Sequence, residues 1–438
     1  MFATTAAWWM SGPVLADPGE KYGPPSPAQE AIEAKVIVPP REIPPALAAA
    51  AELAADDYPT VRNAKAQERA ARSELGGAKW LRFPSLSLEA LAVTRGNTST
   101  SQNGMALNVT VEQPLFTFGK ISGTIDKADA LLLARRAGVD EAIRDLTLRV
   151  TNAYYSLGLS ARRQDVLEES LAQHKTLLST IQNRVRQEVS PQADLNLALS
   201  RASAIEQELS QAKAQRAISL SQLFEFVGSV GFDPGNVPTY DAALSHPSEV
   251  DAINEAITCD PKLQRLRAEQ VAAQADAKVA KASIFPQLLG QLTHNDITGT
   301  RVGFALRAQT GAGLSQVAIT DAARARADAS GFAIATAERE LRDALQLDFV
   351  TNSSSKVRIT ASALAADTSE LVTESYRRQF IAGRRTWLDV MNAVREATSA
   401  KLARTDAEFG AMASSARILL RTCRWEPSSR RSANQDVK

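Results

Sequence analysis

The hydrophobic pattern of this chain changes period twice, in the same way each time. From Ala46 to Leu81, Ala and Leu alternate with Arg, Glu and Lys at helical spacing, and Pro84 closes the tract. The period then drops to two. Leu86, Leu88, Ala90 and Ala92 share one face, with Ser85, Ser87 and Glu89 on the other. After a polar turn at 95–104, Met105, Leu107, Val109 and Val111 oppose Asn108, Thr110 and Glu112. That alternation predicts a β-hairpin with strands at about 84–94 and 104–113, ended by Pro114 and Gly119. A helix is predicted over about 120–187, a turn at 188–191, and a second helix over about 192–226.

The pattern then recurs. Asp260-Pro261 supplies an N-cap and a first-turn proline, and Phe285-Pro286 closes that helix as Phe83-Pro84 closed the first. Pro59 to Pro84 and Pro261 to Pro286 are the same interval apart. A second hairpin is expected at about 286–294 and 301–309, then a helix from about Ser315 to Ile381, a turn at 382–386 and a last helix ending near Arg421. The two turns also correspond: Asp194 lies as far past Glu188 as Asp389 lies past Gly383. The expected organisation is a duplicated chain. Repeat 1 spans 46–226, a linker spans 227–257, and repeat 2 spans 258–425.

Lengths constrain the architecture. At about 1.5 Å per residue, the tract 120–187 would be on the order of 100 Å long. The helices before the hairpin and after the turn would together match it, so each repeat can pair one long rod with two shorter rods stacked end to end. Each strand has roughly 10 residues, enough to cross a bilayer when tilted. Open edges cannot sit in hydrocarbon, and four strands are too few for a barrel, since the smallest have about eight. The hairpins must then be shared between copies; three copies is the economical closure, with two or four also allowed. A small soluble sheet capping a bundle is the competing reading of the same hairpins.

Composition narrows the function. Fifty basic against 49 acidic residues leave a net charge of +1, which offers nothing to a nucleic acid. Aromatics make up only 5%, too few for several ordinary globular cores. No apolar run of about 18 residues occurs, so no transmembrane helix is expected. Residues 1–16 are apolar and end in Val14-Leu15-Ala16, which resembles a signal-peptidase site, although the first Lys or Arg is Lys21. Either this is a truncated signal peptide or a loose N-terminus. Residues 17–45 are a Pro-rich lead-in and 426–438 a polar tail. The two cysteines, Cys259 and Cys423, fall at corresponding ends of helical tracts. In an exported chain they would pair as a disulfide; the alternative is two separate buried thiols.

Three words carry a family resemblance: Gln113-Pro-Leu-Phe116, Val189-Ser-Pro-Gln-Ala-Asp194 and Gly383-Arg-Arg-Thr-Trp-Leu-Asp-Val390. In this order and spacing the chain, from about 46 to 425, resembles the TolC-like outer-membrane channel family. That resemblance implies a mainly α protein with a membrane β-barrel, three protomers sharing a twelve-stranded barrel set in outer-membrane lipid and continuous with an α-helical periplasmic tunnel. It implies a passive exit duct docked to a periplasmic adaptor and an inner-membrane transporter. The word from Phe380 to Asn392 looks most like the branch serving type I secretion of large adhesins, with an ABC transporter. The alternative is a duct for drug or metal efflux, served by a proton-driven pump.

By the same resemblance Arg385 corresponds to a residue tying the periplasmic entrance shut and Asp389 to a constricting aspartate. Arg384, Phe380 and Asn392 stand beside them. Three Asp389 carboxylates around an axis would form an anionic ring whose mutual repulsion raises its proton affinity. Two positions depart from the family: Phe380 replaces a gate tyrosine, and Asn392 a second aspartate. Glu188, Ser190, Pro191, Asp194, Gly383 and Trp387 are the expected adaptor-docking residues of the two tips. No cofactor, metal or enzyme activity is expected: His174, His246 and His294 lack ligand spacing, and no Gly-rich Lys-Ser/Thr loop occurs.

Overall fold

Prolines and glycines set the limits of nearly every element. The structure, a computed structural model, describes residues 39–93, 104–229, 231–243, 247–295, 299–308 and 315–427. The expected signal segment 1–16, most of the lead-in, the turn at 95–103 and most of the tail lie outside the described residues, as does His246. All of the described elements belong to the unit that begins at Pro39.

The first helical tract is two helices, α1 (Pro45–Asp57) and α2 (Pro59–Trp80). A single helix over 46–81 was the expectation, and Pro59 is the reason it fails. The residue before a proline is pushed out of the helical region, and Tyr58 is extended at ψ 136°. Strands β1 (Ser85–Val93) and β2 (Gly104–Phe116) follow. β2 runs through Pro114 instead of stopping there. Pairing with β1 has already ended at Ser85 opposite Glu112, so the missing amide costs nothing on that side, and a bulge between Pro114 and Phe116 absorbs the rest.

Helix α3 (Lys120–Arg186) has 67 residues, about 100 Å, and α4 (Gln192–Val227) returns along it. The segment expected to be only a linker contains α5 (Glu249–Cys259), whose N-cap Ser248 accepts from the Asp251 amide. Next come α6 (Pro261–Ala282), β3 (Gln287–Asn295) and β4 (Gly299–Arg307). β4 starts and ends two residues earlier than the expected 301–309. Helix α7 (Ser315–Ile381) also has 67 residues, and α8 (Trp387–Arg421) pairs with it. Among the described residues, no helix is long and apolar enough to cross a membrane.

The four strands form one antiparallel sheet in the order β1-β2-β3-β4, leaving β1 and β4 as free edges. Register puts Leu86, Val111, Leu292 and Val302 in one cross-strand row. That face is bare: Val302 is 78% and Phe304 81% exposed. The opposite face carries Glu112, which accepts from Gln291 at 2.6 Å and from Arg307 at 2.8 Å. Where the sheet meets the helices, aromatic rings pair: Trp80 with Phe83, Phe116 with Phe118, and Phe118 stacked on Phe285 at 5.1 Å.

The largest core lies midway along the rods, where α1, α3, the end of α4 and the end of α8 meet around Leu47, Val150, Leu223, Leu420 and Trp425. Gly158 permits the close approach there, since a Cβ would stand 2.6 Å from the Phe409 ring. Buried Asp348 on α7 binds Arg417 at 2.6 Å and Arg421 at 3.0 Å, fastening α7 to α8. Cys259 and Cys423 are joined as a disulfide, with their Cα atoms 6.4 Å apart.

Candidate gate at the two helical tips

The two reversals of direction are built to one plan. After α3, Glu188 takes the left-handed conformation at φ 61°; after α7, Gly383 takes it at φ 70°. In each turn the next amide reaches back five residues, Val189 to the Arg184 carbonyl and Arg384 to the Gln379 carbonyl, both at 2.9 Å. This closes the helix ends. Pro191 and Thr386 are then the corresponding N-caps of α4 and α8. The chemistry diverges at that point. Pro191 gives no side-chain cap, and Asp194 bonds through its own amide to the Pro191 carbonyl at 3.1 Å. Thr386 and Asp389 instead form a reciprocal capping box.

The tips pack against each other within one chain. Leu177 and Ile181 of α3, Ala198 of α4 and Trp387, Val390, Met391 and Val394 of α8 make one cluster, with Tyr376 and Phe380 of α7 at its border. Trp387 is 7% exposed. Expected among the docking residues of the tip, it packs into this cluster, because positions 387, 390, 391 and 394 form one apolar stripe of α8. Phe380 is half-buried under Arg184, whose guanidinium stands 5.7 Å from its ring and donates to Ser190 Oγ at 3.3 Å. The first tip therefore clasps the second through Arg184.

Arg385 folds back over α7. Its guanidinium lies 4.2 Å from the Tyr376 ring centre, its Nε donates to Gln379 Oε1 at 3.3 Å, and a terminal nitrogen is 3.8 Å from Asp389. A planar cation on an aromatic face gains both stacking and electrostatic attraction. The tyrosine in this contact stands one turn before Phe380, and the sequence pattern alone passes over it. Asp389 accepts from the Thr386 hydroxyl at 2.8 Å and the Thr386 amide at 3.3 Å. Those bonds, and then the Arg385 charge, hold its carboxyl below the usual aspartate range. Within one protomer the pull on Asp389 is thus opposite to the repulsion expected of a threefold ring. Arg384, Asn392, Glu188 and Pro191 are exposed, and Ser190 and Asp194 half-buried.

Of the histidines, His174 is buried in α3 and His294 bonds Thr300 Oγ1 at 2.8 Å from β3. Among the described residues no group of His, Cys, Asp or Glu is placed to hold a metal.

Comparison with solved structures decides the fold. The outer-membrane channel OprN superposes with a TM-score of 0.77 at 20% identity, over 86% of this chain and 90% of that one. The fold is that of an outer-membrane channel protomer. CmeC, the Campylobacter jejuni outer membrane channel, gives 0.75 at 12% identity over 88% and 87% of the two chains. MtrE, the Neisseria gonorrhoeae outer membrane channel in its open state, gives 0.71 at 17% over 86% and 89%. At these identities the likeness is one of fold. Residues 50–229, from α1 to just past α4 of this channel fold, match the family model described as outer membrane efflux protein. No curated protein matches the chain.

Proposed function

We propose that three copies of this chain close into an outer-membrane exit duct: a passive channel, not an enzyme, whose helical tips form a periplasmic gate. The observation that carries this is the sheet. It has two free edges, an uncovered apolar face, and a band of aromatic rings where it joins the helices. In water such a face and such edges invite aggregation. In a membrane the face meets lipid, the edges of neighbouring copies pair, and the aromatic band sits at the interface. The match to the outer membrane efflux protein model and the likeness to channel protomers support the same reading. We read the twice-run order of helix, hairpin, 67-residue helix and returning helix as a duplication.

The gate assignment rests on Arg385 and Asp389, which link the end of α7 to the start of α8 at the tip. Glu188, Ser190, Pro191, Asp194 and Gly383, gathered at the two tips, are assigned to docking the helices of a periplasmic adaptor. An inner-membrane transporter supplies the energy. For the cargo, the family description favours efflux. The word Phe380–Asn392, similar to the adhesin-secretion branch, favours a large secreted protein moved by an ABC transporter.

Planar-bilayer recording of the detergent-extracted protein tests the duct. Discrete conductance steps are expected, rising when the tip is disturbed. A protein that needs no detergent and conducts nothing contradicts it. Affinity purification from cross-linked cells separates the cargoes, since secretion recovers an ABC transporter and efflux a proton-driven pump.

A further inference from the structure

The disulfide joining Cys259 to Cys423 stands against a buried arginine whose hydrogen bonds are incomplete. Arg144, on α3, is 7% exposed. One terminal nitrogen donates to Asp260 at 2.6 Å; the other lies 2.7 Å from Cys423 Sγ and 3.7 Å from Glu426; its Nε has no partner among the described residues. Among the described residues the neighbourhood supplies both cations and carboxylates, Asp140 beside Glu426 among the latter. Arg144 comes from α3 and Arg421 from the end of α8, while Arg424, just past α8, is engaged by Glu255 of α5 at 2.7 Å. Asp260 caps α6, and Glu426 sits where burial raises its proton affinity.

The two sulfurs are therefore unequal. Cys423 Sγ accepts directly from the Arg144 guanidinium, whereas the hydrogen bond at Cys259 is to its carbonyl oxygen, from Gln264 at 3.3 Å. In thiol–disulfide exchange the sulfur that is more stable as a thiolate leaves faster, and a neighbouring cation is what stabilises a thiolate. Both cysteines are partly exposed, so a reagent has access.

We propose that Cys259–Cys423 is a reversible thiol–disulfide exchange site, reduced by a dithiol that attacks Cys259 and expels Cys423 as a thiolate held by Arg144. In the first step the attacking thiolate forms a bond to Cys259 Sγ, the bond between the cysteines breaks, and its electron pair goes to Cys423. In the second step the other sulfur of the reductant displaces Cys259. The reductant leaves as a disulfide, both cysteines are reduced, and the two protons come from the reductant's thiols. Cleavage removes the covalent link between the end of α8 and the corner of α5 and α6, leaving the Arg424–Glu255 ion pair and the packing of Ile418 on α5 to hold them.

The test uses the whole protein with glutathione as the attacking thiol, quenched with N-ethylmaleimide and read by peptide mass spectrometry. Glutathione is expected on Cys259 and maleimide on Cys423. The reverse placement, an even mixture, or a disulfide inert to glutathione overturns the proposal. A Cys259→Ser variant leaves Arg144 untouched and Cys423 as the sole thiol. Its alkylation should be half-maximal at least about one pH unit below the ordinary cysteine value. A midpoint at or above that value overturns the role given to Arg144.

Discussion

Glu188 and Gly383 hold the same place in two equivalent turns, both in the left-handed region, though only one of them is a glycine. A side chain in that region costs about 1–2 kcal/mol, part of which glycine repays in unfolded-chain entropy. Nothing lies within 4 Å of a Cβ built on Gly383, so the cost there is purely conformational. Glu188→Gly should therefore raise stability by about 0.5 kcal/mol and Gly383→Ala lower it by about 1 kcal/mol. Thermal midpoints that move in opposite directions support the equivalence; midpoints that move together contradict it.

Arg385 stacks on Tyr376 and neighbours Asp389, and these contacts fasten the tip. Arg385→Ala and Asp389→Ala should each increase the leak of small solutes when no partner transporter is present. Arg385→Lys should fall between, because it keeps the charge and loses the planar face. Single-channel recordings indistinguishable from wild type for both alanine variants would remove the gate assignment.

Trp387 anchors the cluster beneath the tip. Trp387→Ala should cost about 3–5 kcal/mol locally. The first turns of α8 should then exchange amide hydrogens faster, with no adaptor present. Unchanged protection would mean that the ring serves a partner instead.

Much of this was legible along the chain, and the exceptions have physical causes. The long α3 and α7 were readable because Ala and charged residues run uninterrupted between a Gly or a polar turn and a tip. The break at Tyr58 was present in Pro59 but hidden by helical pattern on both sides. Helix α5 was lost in a segment rich in Gly and Pro, although Ser248 and Asp251 spell an N-cap. Trp387 was legible as a residue of the second tip, and its apolar spacing to Val390, Met391 and Val394 also places it in the cluster beneath that tip. The contacts of Arg144 with Asp260 and of Arg385 with Tyr376 depend on tertiary approach. No spacing rule along one helix reveals them.

His174 gives the pH dependence a sign. It is 2% exposed, and its Nδ1 donates to the Ser170 carbonyl at 2.8 Å, while Thr398 of α8 donates to Ser170 Oγ at 2.9 Å. Burial pushes its proton affinity below the ordinary value of 6.5. The unfolded chain therefore binds a proton first as pH falls. Stability from this group is complete above about pH 6.5 and is lost below it. The carboxyls of Asp145 and Glu426, whose proton affinity partial desolvation raises, act in the opposite sense, so the comparison must be made against His174→Gln. The loss of thermal stability between about pH 7 and pH 5 should be smaller in that variant. An identical slope would contradict the assignment.

Electron cryomicroscopy of the detergent-extracted protein tests the central claim most directly. It should show three copies about one axis, with β1 of each hydrogen-bonded to β4 of the next and the apolar face turned to lipid. Single chains dispersed in water, with both sheet edges unpaired, would contradict it.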